Sequence, residues 1–327
     1  IAQFKRRIKA LAALKEHGEL LRMLVDPRLK LEDSQDPLDE GNATFQNFDS
    51  SKQAALREIL ATIPLFLLQG PPGVGKTYLV GDLVRRRFED DPIARILLSA
   101  QSNSAIDHLM KEVLGIFAGL DEDARPLMVR ARPADDDDSS GELEIDVQAD
   151  KRLQDLSESP LVSAASEPIA QKISALAEAR RTQVGRQRTR GAGSRRVSAE
   201  LRAFEGMILR AANLVFATTN SAAVDRLIEE QALFDWTIIE EAGKATGGEL
   251  LSPLLLSHRR LMIGDHKQLP PFDVDAISRL LSSTESVREV VGLVDDFVSR
   301  YLKDPRIDET LEEIAASGEH FGRTCSE

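Results

Sequence analysis

The chain has 327 residues, 42 Lys and Arg against 54 Asp and Glu, a net charge of −12 at pH 7 and 42% apolar residues. That is the composition of a soluble globular protein long enough for one large or two ordinary domains, and its negative excess argues against a surface that coats nucleic acid or an anionic membrane as a whole. The single cysteine, Cys325, excludes an internal disulfide framework or a cysteine zinc site, no apolar run approaches the roughly 20 residues of a membrane helix, and the start Ile1-Ala2-Gln3-Phe4 is not a signal peptide, so the chain reads as a cytoplasmic fragment.

In chain order, Phe4, Ile8, Leu11, Leu14, Leu20 and Leu21 recur near a helical period with basic residues between them, predicting a stalk-like helix. The polar, acidic stretch 32–44 reads as a linker, which makes 1–44 one unit. From Phe45 onward, strand-like runs at 64–68, 95–99, 127–130, 214–218, 236–240 and 260–263 alternate with helical segments. This alternation predicts an α/β fold of the RecA-like P-loop NTPase kind, a parallel sheet flanked by helices. Its core is split into 45–133 and 213–272 by a mainly helical insertion, 134–212. Inside the insertion, 161–183 and 197–212 read as an antiparallel helical hairpin broken at Gly191 and Gly193. Arg180, Arg181, Arg186, Arg188, Arg190, Arg195 and Arg196 cluster at its tip, either as a solvated helix end or as a grip on a phosphate backbone. Helical patterns continue through 273–327.

The most specific motif is Gly70-Pro71-Pro72-Gly73-Val74-Gly75-Lys76-Thr77, directly after the apolar run 63–68. G-x-x-x-x-G-K-[ST] uses glycines so that backbone N–H groups can close around phosphates, and it points to a nucleoside triphosphate. Lys76 would neutralise the β/γ-phosphates, Thr77 would offer its hydroxyl to Mg2+, and the following helix, from Lys76, Thr77 and Tyr78 onward, would present its positive dipole end. A second strand, 236–240, finishes in two acids: Glu240 is placed to hold Mg2+ through water, and Glu241 to polarise the attacking water. A third ends in Gly264-Asp265-His266-Lys267-Gln268, where Gln268 could bond the γ-phosphate; His266 has no partner visible in sequence and packing is its plain reading. Upstream of the loop, the amide of Gln53 has the paired donor and acceptor that an adenine edge needs. Two small polar loops, 99–104 with Ser102 and Asn103 and 217–222 with Thr218 and Thr219, follow strands and suit phosphate contacts, although Ser and Asn at helix starts also serve as plain caps.

Taken in this order, the segments from Phe45 to about Pro271 resemble the first motor domain of superfamily 1 helicases, in the branch of the nonsense-mediated-decay helicase and the replication helicase-nucleases. The resemblance implies that Gln53 reads adenine, that Ser102, Asn103, Thr218 and Thr219 touch a single-strand backbone, and that Asp265 and Gln268 couple nucleotide state to the strand. It further implies ATP with Mg2+, a second RecA-like domain as partner, single-stranded DNA or RNA as track, and 5′ to 3′ translocation. The acidic motif departs from the family's Asp-Glu-Ala-x-Gln: here it is Glu240-Glu241-Ala242-Gly243-Lys244, with a longer metal-side carboxylate and a cation in place of an amide. The chain ends before any second motor domain, whose arginines are worth roughly 10³ to 10⁵ in kcat in related enzymes, so slow hydrolysis is expected of it alone. The competing expectations are a nucleotide-gated nucleic-acid clamp with little turnover and a P-loop ATPase that remodels proteins.

Overall fold

The structure, a computed structural model, describes residues 10, 13–14, 17–25, 32–33, 38–121, 124–132, 141–187, 199–265, 267–268 and 279. The described chain opens with helix α1 (Gly18–Val25), the two-residue strand β1 (Glu32–Asp33), a short helix α2 (Ala43–Asn47) and α3 (Ser50–Ala61). Asp49 caps α3 by accepting from the Lys52 amide at 2.9 Å, and β2 (Thr62–Ile63) pairs antiparallel with β1. The core follows: β3 (Leu65–Gln69), α4 (Lys76–Asp90), β4 (Ile96–Ala100), α5 (Asn103–Phe117) and β5 (Met128–Arg130). Next come the insertion helices α6 (Ile145–Glu158), α7 (Pro160–Ser163), α8 (Glu167–Gln187) and α9 (Ala199–Ala211). The chain returns to the core with β6 (Leu214–Thr218), α10 (Ala222–Glu229), β7 (Trp236–Glu240), a 3-10 turn (Ala242–Lys244), α11 (Gly247–Leu254) and β8 (Arg260–Gly264).

Six of these strands form one parallel sheet in the order β3-β8-β7-β4-β6-β5. Its central strands are near-continuous apolar runs because helices cover both faces, and the alternation of period two shows in which helices each residue meets. Ile96 and Leu98 pack with Leu56, Val80, Leu83, Ile106 and Leu109 of α3, α4 and α5, whereas Leu97 packs on the other face with Ala149, Phe204, Ile208 and Leu227. The one polar residue inside β4, Ser99, is satisfied by donating to the Ala217 carbonyl at 2.9 Å. Parallel strands bring every loop that follows a strand to one edge, so the segments after β3, β4, β6, β7 and β8 gather there.

Leu98 lies fully buried at the centre of this sheet. Leu98→Ala is expected to cost about 2–5 kcal/mol, read as a fall in the urea midpoint at an unchanged m-value. A loss below about 1 kcal/mol would mean that the two faces collapse around the void.

Three expectations are revised by the packing. The described part of the N-terminal unit is not a projecting stalk. Leu20 and Met23 of α1, with Leu14, pack on Leu65, Ile239 and the α11 residues Leu251 and Leu254. Glu19 also reaches the fully buried guanidinium of Arg260, 3.3 Å away, at the start of β8. The acidic stretch 32–44 contains β1 and the start of α2 rather than a plain linker. In the insertion, Arg180 does not belong to a basic tip: it is buried, paired with Asp150, and it donates to the Asp146 carbonyl at 3.2 Å. The remaining arginines of that cluster, His266 and all of 273–327 except Arg279 lie outside the described residues or side chains.

Candidate functional site

The glycine-rich loop links β3 to α4. Its first amide, Gly70 N, donates to Gly264 O at 3.2 Å and ties the loop to the end of β8. Gly73 and Gly75 both have φ of 79°, a left-handed conformation that costs an L side chain about 1–2 kcal/mol, which explains two of the three motif glycines. Gly75 caps α4, so Lys76 and Thr77 start the helix and its unpaired amides face the loop. Lys76 Nζ donates to Gly70 O and Pro71 O, each at 2.7 Å, curling its charge over the loop. Tyr78 is more than half exposed and meets Phe48 edge to face at 5.6 Å, bringing the start of α3 against the loop. Nearby, the Gln53 amide donates to the Phe45 carbonyl at 3.0 Å.

β7 is buried along its length and delivers Glu240, 8% exposed, beside Thr77. Burial pushes the Glu240 carboxyl above the usual carboxylate range; the Thr77 hydrogen bond and the positive fields of His108 and Lys76 oppose the rise, and Glu241 adds to it. One carboxylate oxygen accepts from Thr77, while Glu240 Oε1 is buried without a hydrogen-bond partner. A carboxylate bonded to a threonine hydroxyl through one oxygen and with its other oxygen orphaned is an all-oxygen donor set, which fits Mg2+, a hard cation that completes its shell with water and phosphate oxygens.

A raised carboxyl pKa means that the folded chain binds more protons than the unfolded one, so stability falls as pH rises through that pKa. The penalty is absent below the ordinary glutamate value and complete above the folded one. Glu240→Gln is therefore expected to make the nucleotide-free protein more resistant to urea at pH 8 than the parent, with the gain vanishing towards pH 4, and to lose Mg2+-dependent nucleotide affinity. Equal stabilities at both pH values would contradict the burial argument.

Glu241 follows with φ 53° and ψ 31°, a left-handed backbone that a non-glycine residue adopts at a cost of order 1–3 kcal/mol and that clusters at functional sites. It turns the chain into the 3-10 turn, whose Gly243 is pressed on the end of β8: a Cβ on Gly264 would stand 2.8 Å from Gly243 N. The turn returns Lys244 so that its Nζ donates to Glu241 Oε1 at 2.7 Å. After β8, Asp265 fixes its loop by accepting from the Lys267 amide at 3.0 Å and from Gln268 Nε2 at 3.2 Å.

One cavity of about 300 Å3 joins these parts, lined by Pro72, Lys76, Thr77, Glu240, Glu241 and Gln268 among the expected residues. His108 and Lys244 also line it. Sequence reasoning assigned neither a role; α5 starting at Asn103 puts His108 one turn and a half in, and the departure of Lys244 from the family motif was the available signal. The cavity lining does not include Gly70, Pro71, Gly73, Val74 and Gly75 of the loop, nor Gln53, Tyr78, Ser102, Asn103, Thr218 or Thr219. Ser102 caps α5, accepting from the Ala105 amide at 3.2 Å, and Asn103 Oδ1 accepts from the buried Arg130 at 3.2 Å. Thr218 ends β6 half-buried, and Thr219 is 1% exposed with its hydroxyl unpartnered.

Against known proteins, residues 47–274 match the family model described as AAA domain. The chain is similar to "DNA-binding protein SMUBP-2" of Rattus norvegicus, 26% identical over 309 residues that cover 88% of this chain and 28% of that protein. It is similar to "ATP-dependent helicase upf1" of Schizosaccharomyces pombe, 26% identical over 294 residues, 86% of this chain and 28% of that one. It is also similar to "ATP-dependent helicase NAM7" of Saccharomyces cerevisiae, 28% identical over 230 residues, 69% and 20% respectively. The chain thus spans less than a third of the length of these relatives.

Proposed function

The chain belongs to the AAA domain family, as a superfamily 1 motor domain of the Upf1-like kind, and from that premise we propose that it binds and hydrolyses ATP as the nucleotide-binding half of a helicase or translocase on single-stranded nucleic acid. The observation that carries this reading is the convergence of Lys76, Thr77, Glu240, Glu241 and Gln268, from three separate strand ends, on one cavity. The amides of the left-handed glycine loop and Lys76 hold the phosphates. Thr77 and Glu240 would hold Mg2+, which would shield the phosphate charge when bound. Glu241 orients and deprotonates the attacking water, and Gln268, braced by Asp265, contacts the γ-phosphate on the side of β8. Gln53 would have to release Phe45 O to read adenine.

The strand would run along the edge that carries Ser102, Asn103, Thr218 and Thr219, with helix-start and backbone groups as the contacts, because Thr219 is buried and Ser102 and Asn103 are engaged in the fold. A second RecA-like domain would supply arginines across the nucleotide, movement would run 5′ to 3′, and the location would be cytoplasmic. Among the described residues no helix is long and apolar enough to cross a membrane.

The test is the ATPase rate of the native full-length protein with and without single-stranded DNA and single-stranded RNA. Stimulation at least tenfold by one polymer is the expected result. ATP binding with a flat, near-zero rate would replace the motor by a nucleotide-gated clamp.

A further inference from the structure

We infer that Lys244 is a γ-phosphate contact of this site: a cation that leaves Glu241 for the terminal phosphate when a triphosphate binds, making the site prefer ATP to ADP. The inference rests on the reading of the cavity as an ATP site, and it concerns a residue at which this chain differs from the family's motif.

The root of the Lys244 side chain is fixed. The left-handed backbone of Glu241 starts the 3-10 turn, Lys244 N donates to Glu241 O at 2.9 Å, and Ala245 N donates to Ala242 O at 3.2 Å. Gly243 has no room to move on β8, since even a Cβ built on it would lie 3.1 Å from Asp265 O. The far end of the side chain is, in contrast, easily released. Among the described residues Nζ has one ion-pair partner, Glu241 Oε1 at 2.7 Å, and the two side chains are 37% and 36% exposed. An ion pair so open to water is worth on the order of 0–1 kcal/mol. A phosphate oxygen, carrying more charge and held by the loop, is the stronger acceptor.

Position selects the γ-phosphate over the others. Lys76 Nζ, at the start of α4, already donates to Gly70 O and Pro71 O and serves the loop side of the cavity. Lys244 lines the same cavity from the turn after β7, whose Gly243 abuts Asp265 at the end of β8, beside Gln268. A water oriented by Glu241 for in-line attack stands one hydrogen bond from that carboxylate and next to the γ-phosphorus. A group that touches Glu241 is therefore within a side-chain swing of the terminal phosphate oxygens, and the α- and β-phosphates lie farther off along the loop. The exchange also explains the pair itself. Without a γ-phosphate, Lys244 occupies the carboxylate that hydrolysis needs; with one, the carboxylate is free for water.

The experiment measures equilibrium binding of ATP and of ADP, each with Mg2+, to the full-length protein, its Lys244→Gln variant, which restores the family's amide, and Lys244→Ala as a second probe should the first not fold. Losing a hydrogen bond between charged groups predicts ATP affinity about 10- to 100-fold weaker, with ADP affinity changed less than about twofold. A pre-steady-state quench at saturating ATP should then show that KM carries most of the defect. Equal weakening for both nucleotides, or no weakening for either in a folded variant, overturns the inference. Failure of the parent protein to bind either nucleotide overturns the ATP site itself, a result separable from the first because it appears without any substitution.

Discussion

Lys76→Ala is expected to weaken ATP binding about a hundredfold while leaving the thermal transition of the protein unchanged within about 2 °C. Hydrogen bonds to charged groups contribute about 1.5–3 kcal/mol, and 1.4 kcal/mol is tenfold in affinity, so losing this ammonium alone reaches two decades at the upper end. The fold should tolerate the change. Among the described residues Nζ bonds the carbonyls of Gly70 and Pro71 alone, in a largely exposed loop where water can replace it, and the buried positions of α4, Leu79, Val80, Leu83 and Val84, are untouched. The loop itself is held by the Gly70 to Gly264 bond and by the two left-handed glycines, none of which involves the lysine. A folded variant with parental nucleotide affinity, measured by titration with a fluorescent ATP analogue, would remove the loop from the binding site.

Glu241→Gln should have the larger effect on turnover. General-base or water-orienting groups contribute about 10²- to 10⁴-fold, and the amide keeps the shape of the side chain while losing its charge and basicity. The strand-stimulated rate is therefore expected to drop by that factor with ATP affinity retained or improved, since the variant also frees Lys244 from its ion pair. Single-turnover hydrolysis would show the loss in the chemical step. A rate within about threefold of the parent would shift the catalytic carboxylate to Glu240. Burial separates the two acids: Glu240 is enclosed and bonded to Thr77, as a metal-side group should be, whereas Glu241 is a third exposed and lines the cavity.

The sheet could be read from sequence almost strand by strand, because a parallel sheet covered on both faces leaves uninterrupted apolar runs bounded by turns; 214–218 and 236–240 coincide with β6 and β7. Helix α6 was not individually legible. Its buried face includes Asp146 and Gln148 beside Ile145, Ala149 and Leu153, so its apolar period is blurred by polar groups that only the packing against Arg180 and the Glu142 carbonyl explains. The phosphate loop and the two acids were legible because their chemistry dictates residue type at fixed spacing. The cavity's other wall was not. His108 lies on a helix whose sequence gives its period but not the direction of each exposed position, and the pairing of Lys244 with Glu241 depends on a left-handed turn that a glutamate does not announce. Arg180 misled for a related reason: a run of arginines reads as one charged patch, and burial divides it.

The contact between Glu19 and Arg260 sets the boundary of the cooperative unit. Arg260 has its side chain fully enclosed, its Nε spent on the Leu254 carbonyl at 2.5 Å, and its charge answered by a carboxylate that lies 241 residues earlier in the chain. Glu19 is partly exposed but Arg260 is fully buried, so fraying of α1 would leave a buried charge in the central sheet without its carboxylate, and α1 is expected to open with the sheet and not as an independent terminal helix. The amide protons of α1 should accordingly exchange with solvent on the same timescale as those of β8 rather than on that of a chain end. The segment homologous to the family begins at residue 47, yet the piece expected to unfold as one body reaches back to α1, which starts at Gly18, 29 residues before it.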